Sequence, residues 1–108
     1  MSPRIRERFL QDPLPVRLGG LAADLARIAS CAGDPKDGEA LLSLLEEGKH
    51  FAEWTAPDAP LEVQEALAEI QIRLALWQRR RQAGKPSFEM RTEAQRWSDR
   101  LLVLSGLG

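Results

Sequence analysis

The chain has 108 residues, 44% of them hydrophobic and 29% charged, which predicts a single globular domain, residues 1–108, with one modest core. A formal net charge of -1 excludes a protein that binds polyanions with its whole surface, so a nucleic-acid role would need a local basic patch. The single cysteine excludes an internal disulfide, and no apolar run reaches the roughly 20 residues of a membrane span, so we expect a cytoplasmic protein that makes no membrane contact.

Apolar residues recur at alternating spacings of three and four in four successive segments, a rhythm that keeps one stripe of an α-helix against a common partner. Tyrosine is absent and no long segment alternates apolar with polar residues, so a sheet is not expected. Because the connections are short, consecutive helices must run antiparallel. We therefore expect an all-α, antiparallel up-down four-helix bundle with helices at residues 13–32, 35–54, 59–83 and 88–105.

Caps and helix breakers set these boundaries. An aspartate-proline pair opens each of the first two helices, at residues 12–13 and 34–35. Gly84 and Pro86 end the third helix, and Ser87 caps the fourth.

A short basic arm, residues 1–11, precedes the bundle and is itself predicted to be helical. It carries Ile5 and Phe9 on one side, and arginines at every second position between residues 4 and 8. The arm emerges at the end of the bundle where acidic residues gather. We expect it to fold back there and to insert both Ile5 and Phe9 into the apolar seam.

Three glycines interrupt the helical pattern. Gly19 and Gly20 weaken the first helix by about 1 kcal/mol each relative to alanine, for which a close approach between helices would compensate; a kink is the alternative. Gly48 lies on the apolar stripe of the second helix, which either continues through it or divides there. We favour continuity.

The tryptophans are expected to pack in the core. With a rise of about 1.5 Å per residue, Trp77 and Trp97 fall at similar heights, so they should share or adjoin a layer with Ile28. Trp54 belongs to the opposite end. A cavity in the layer of Trp77 and Trp97 would instead make the protein a small-ligand-binding bundle.

Two features have the residue types of reactive sites. Glu47 and His50 show the Glu-x-x-His spacing of di-iron bundles, but His50 is the sole histidine and lies off the apolar stripe. Cys31 lies near a helix C-terminus, where the helix dipole disfavours a thiolate. We therefore predict that the protein is not an enzyme and uses no metal or cofactor.

Two surfaces are candidates for binding a partner. One is a basic end, and because its three consecutive arginines spread around the helix, a solvated helix end is the simpler interpretation; an acidic protein partner and a nucleic acid are the alternatives. The other is a set of apolar residues off the main stripes, which predicts a homodimer, unless the third helix is more central or the arm covers these residues. The basic end comprises Arg79, Arg80, Arg81, Lys85 and Arg91, and the candidate oligomer face comprises Ile72, Leu76, Leu102 and Val103.

Three stretches, Phe51–Pro57, Leu18–Ala22 and Leu74–Trp77, resemble small uncharacterised helical proteins of cyanobacteria. The resemblance covers most of the chain from Leu14 onward and implies a cytoplasmic protein of unknown role, without assigning any functional residue. The residues themselves predict a non-catalytic protein–protein interaction module that forms a homodimer. The alternative function is a weak nucleic-acid-binding regulator that uses the basic end.

Overall fold

The structure, a computed structural model, describes residues 3–82 and 88–106, and every regular element in those ranges is helical, which confirms the all-α prediction. No helix in these ranges combines the length and the apolar character needed to cross a bilayer. The predicted helix signals at Gly84, Pro86 and Ser87 lie outside the described residues. The helices are α1 (Pro3–Gln11), α2 (Leu14–Cys31), α3 (Gly38–Thr55), α4 (Leu61–Gln82) and α5 (Phe88–Ser105), with short 3-10 helices at Pro35–Asp37 and Ala56–Asp58.

The start of the second predicted helix is a 3-10 turn rather than an α-helix. The Asp34 side chain accepts a hydrogen bond from the backbone N–H of Lys36 at 2.9 Å, and Pro35 follows the cap directly. The α-helical pattern begins only at Gly38. An aspartate-proline pair suits the first turn of either helix type, so the sequence signal could not separate them.

The helix α3 continues through Gly48, as favoured from the sequence. Gly48 is buried, and a Cβ atom there would lie 3.3 Å from the Leu74 Cδ1 atom of α4, which is tighter than ordinary packing. Gly20 behaves differently, because a Cβ atom built on it meets nothing within 4 Å. The close approach expected at this pair of glycines is therefore absent beside Gly20, whereas Gly48 does lie against a neighbouring helix.

The core forms where the predicted stripes of the helices meet. α2 packs against α3 on one side and, most extensively, against α5 on the other, while α4 packs on α3. A buried hydrogen bond also joins α5 to α2, in which Ser98 Oγ donates to the carbonyl oxygen of Ala22 at 2.7 Å. The largest fully buried side chains are Leu18, Leu21, Leu25, Ile28, Leu41, Leu45, Thr55, Leu67, Ile70, Leu74, Trp77 and Leu101.

Two ion pairs show which helix ends are neighbours. Arg17 in the first turn of α2 places its Nη1 atom 3.0 Å from Asp58 Oδ2, in the turn that follows α3. Arg80 in the last turn of α4 places its Nη1 atom 2.9 Å from Glu89 Oε2, in the first turn of α5. Both contacts are compatible with an up-down chain path.

The basic arm forms α1 and docks through one aromatic side chain. Phe9 is buried, and its ring stacks on that of Phe51 in α3 with the centroids 4.2 Å apart. Ile5 remains 44% exposed, so the expectation that both residues insert into the seam is wrong. Phe9 is the one residue of α1 that is buried, and Ile5 lies one helical turn further from the chain's entry into the bundle.

Candidate interaction surface

α4 is apolar on two sides, and this separates it from an ordinary surface helix. One face is buried through residues such as Ile70 and Leu74. The opposite face leaves Ile72 57% exposed and Leu76 38% exposed, near the middle of a helix of 22 residues. The alternatives that a central position of α4 or a covering arm would bury these residues therefore do not hold.

The exposed face of α4 is a regular row. Its members are separated alternately by four and three residues, which keeps them along one line of the helix surface, as in helices that pair side by side. All of them are exposed. The sequence analysis identified Ile72 but missed the row, because charged and small residues fill most of its other positions. The row comprises Leu61, Glu65, Ala68, Ile72, Ala75 and Arg79.

The α5 members of the predicted oligomer face differ in exposure. Val103 is exposed, whereas Leu102 is half-buried and packs against the core cluster. The exposed members of that face are thus Ile72 and Leu76 on α4 and Val103 on α5.

The basic end does not form one surface. Arg79 is exposed, Arg80 is paired with Glu89, and the Arg81 guanidinium lies over Gly38 at the start of α3. Arg91 lines an open groove between α2 and α5, beside Ser30, Gln95 and Asp99, and Lys85 lies outside the described residues. A phosphate backbone would need cations along one face.

The predicted tryptophan layer contains a small charged cleft. Trp77 is buried and its Nε1 atom donates to Glu93 Oε2 at 3.3 Å. Trp97 is half-buried and carries the Arg100 guanidinium 5.1 Å from its ring centroid. A cleft of 180 Å³ lies beside it, smaller than the roughly 300–1,000 Å³ typical of small-molecule sites. Arg73, Glu93, Arg96, Trp97 and Arg100 line this cleft.

The two residues with metal-site spacing have different partners. His50 Nε2 is 3.3 Å from Glu46 Oε1 and its ring stacks on Trp54, whereas the Glu47 carboxyl group lies beside Asp24. Within the described ranges no three histidine, cysteine or acidic side chains converge on one point. Burial, followed by the charges of Asp37 and Asp34, raises the pKa of the Cys31 thiol, which disfavours a nucleophilic thiolate.

A buried carboxyl group was not anticipated from the sequence. Asp24 is 1% exposed, and burial, together with the neighbouring Glu47 carboxyl group, raises its pKa to about 7. Arg27 Nη1 donates to Asp24 Oδ1 at 3.1 Å, which offsets part of this effect. The sequence did contain one signal of this burial. Asp24 lies three residues after Leu21 and four before Ile28, so it falls beside the apolar stripe of α2, as Arg17 does one heptad earlier.

No protein-family model, no curated protein and no solved structure matches this chain. The resemblance to helical proteins of cyanobacteria therefore stays a prediction. What the protein does has to be inferred from its own surfaces, of which the row on α4 is the most regular.

Proposed function

We propose that the protein is a non-catalytic protein–protein interaction module that forms a homodimer through the outward face of α4. The carrying observation is the exposure of Ile72 and Leu76 in the middle of a helix whose other face is already buried in the core. Burying one such side chain contributes about 1.5–3 kcal/mol. Association covers this apolar surface, and the surrounding charges orient the partner.

The scaffold behind this face is an antiparallel up-down bundle of α2, α3, α4 and α5, with α1 packed on α3. The Arg17–Asp58 and Arg80–Glu89 ion pairs support it, because each joins helix ends that an up-down path brings together. A rigid scaffold matters for binding because the side chains of α4 are then ordered before the partner arrives.

Sedimentation velocity tests the proposal by measuring the oligomeric state. The wild-type protein is expected to dimerise, and Ile72→Glu is expected to be monomeric, because a charge would have to be buried at the centre of the interface. Val16→Glu is the matched control, since Val16 is 47% exposed on α2, away from this face, and its substitution should leave the dimer intact.

Circular dichroism measures the helical content of each variant, and so distinguishes a folded monomer from an unfolded chain. A dissociation constant of about 1 mM corresponds to an association free energy of about 4 kcal/mol. A wild-type protein that stays monomeric at this concentration would therefore refute the homodimer. A folded Ile72→Glu variant that still dimerises would place the interface elsewhere.

A further inference from the structure

The row on α4 carries opposite charges at equal distances from its central isoleucine. Its first half carries Glu65, its second half carries Arg79, and Ile72 lies midway, seven residues from each. Within the described residues neither Glu65 nor Arg79 takes part in an ion pair or a side-chain hydrogen bond, whereas Arg80 is already paired with Glu89. Both charges of the row are therefore free to meet a partner.

An antiparallel helix pair matches this spacing. When two copies of a helix cross at one residue in opposite directions, each residue before the crossing faces the residue equally far after it. With Ile72 at the crossing, Glu65 faces the partner's Arg79 about 10.5 Å along the axis, at 1.5 Å per residue. Ala68 faces the partner's Leu76 in the same way, since both lie four residues from Ile72.

We propose that two copies of the chain pack α4 against α4, antiparallel, about a twofold axis at Ile72, with Glu65 of each copy paired to Arg79 of the other. This inference rests on the proposed function and specifies its geometry. A second copy is the occupant because one face carries both halves of each ion pair, which is the self-complementarity that a twofold interface requires.

The small residues of the row permit the approach. Ala68 and Ala75 lie on either side of Ile72, where the two isoleucines meet at the twofold axis. Small side chains therefore adjoin the crossing, and the helix axes can come within about 8–10 Å. The apolar centre supplies affinity, while the two peripheral ion pairs select the antiparallel register over a parallel one. In a parallel pair Glu65 would face Glu65 and Arg79 would face Arg79, which is repulsive.

Charge reversal at the two ends of the row tests the register. Glu65→Arg alone and Arg79→Glu alone each place like charges at two symmetric contacts, and each is expected to weaken self-association by roughly tenfold or more. An equimolar mixture of the two variants should recover wild-type affinity as a heterodimer, because every contact then joins opposite charges. Carrying both substitutions in one chain should restore the homodimer.

Matched reversals off the row are the controls. Glu53→Arg on α3 and Arg91→Glu on α5 change exposed charges of the same types, and neither should alter self-association. Sedimentation at two salt concentrations adds a second readout, since the effect of a reversal on the row should shrink as salt screens the charges.

The outcomes separate this inference from the proposed function. A wild-type dimer that is indifferent to both single reversals, or a mixture that does not recover affinity, overturns the α4 register and leaves the interaction module standing. A monomeric wild-type protein overturns both. Recovery only in the mixture and in the doubly substituted chain supports the twofold pairing.

Discussion

Asp24 carries a carboxyl group that the fold removes from water and places beside the carboxyl group of Glu47 on the facing helix. The ordinary pKa of an aspartate is about 3.9, whereas the pKa of Asp24 in the folded protein is about 7. Between these two values the Asp24 carboxyl group is protonated in the folded protein and ionised in the unfolded chain. Hydrogen bonding with the Glu47 carboxyl group adds to the rise in the pKa of Asp24, after burial and the charge of Glu47. This pair couples α2 to α3 through a group that titrates near neutral pH.

Stability should therefore fall as the pH rises toward neutrality. The folded pKa lies above the unfolded one, so the stabilisation from Asp24 is complete below about pH 4 and is lost as the pH rises through about 7. The slope is at most about 1.4 kcal/mol per pH unit. Urea unfolding from pH 5 to pH 8 measures it, and the Asp24→Asn variant, which cannot ionise, should show a flatter profile. Parallel profiles for the two proteins would contradict the shifted pKa.

Sequence reasoning succeeded at residues whose environment is local and failed where a second helix decides it. The pKa of the Cys31 thiol is raised, which is the direction expected at a helix C-terminus, although burial and the nearby charges of Asp37 and Asp34 cause the rise. The state of Asp24 could not be predicted, because Glu47, 23 positions later, supplies the neighbouring carboxyl group. The sequence left open whether a cavity lies beside Trp77 and Trp97, because the cleft found there is lined from two helices, with Arg73 on α4 and Arg100 on α5.

At the scale of the helix, the spacing of apolar residues predicted which helices exist. The capping residues at the helix ends predicted the type and first residue of each helix less well. The 3-10 turn at Pro35–Asp37 has the same aspartate-proline start as an α-helix. Burial in α1 depends on how the short helix crosses α3, so Phe9 is buried and Ile5 is not. Glycine positions were visible in the sequence, but which of them touches a neighbour depends on the packing of helices.

Gly20 in α2 and Gly48 in α3 should respond differently to substitution by alanine. Gly20→Ala is expected to stabilise the protein by about 1 kcal/mol, because helix propensity improves and the new methyl group meets no atom within 4 Å. Gly48→Ala gains the same propensity but presses on Leu74 from 3.3 Å, so its net gain should be smaller or reversed. Thermal unfolding of both variants provides the comparison. A larger gain in stability for Gly48→Ala than for Gly20→Ala would contradict this expectation, and would mean that Leu74 of α4 shifts to make room for the methyl group.

For the whole molecule, the alternating spacing of three and four between apolar residues predicted an all-helical protein, but it did not predict which helices would be neighbours. Nothing in the sequence indicated that α5 would pack most extensively on α2 and only slightly on α4. That arrangement leaves one long side of α4 uncovered, and an isolated chain pays for this by exposing Ile72 to water. In the proposed dimer, folding and association are linked, because the interface would cover surface that a single chain leaves exposed.

This linkage predicts a melting temperature that depends on protein concentration. If native dimers dissociate on unfolding, a tenfold increase in concentration adds about 1.4 kcal/mol per dimer, or about 0.7 kcal/mol per chain. For a domain of this size the shift should be roughly 3–5 °C. Circular dichroism melts across two decades of concentration measure it, and Ile72→Glu should abolish the dependence while Val16→Glu retains it. A wild-type melting temperature that stays constant would show that the folded chain does not need a second copy to cover α4.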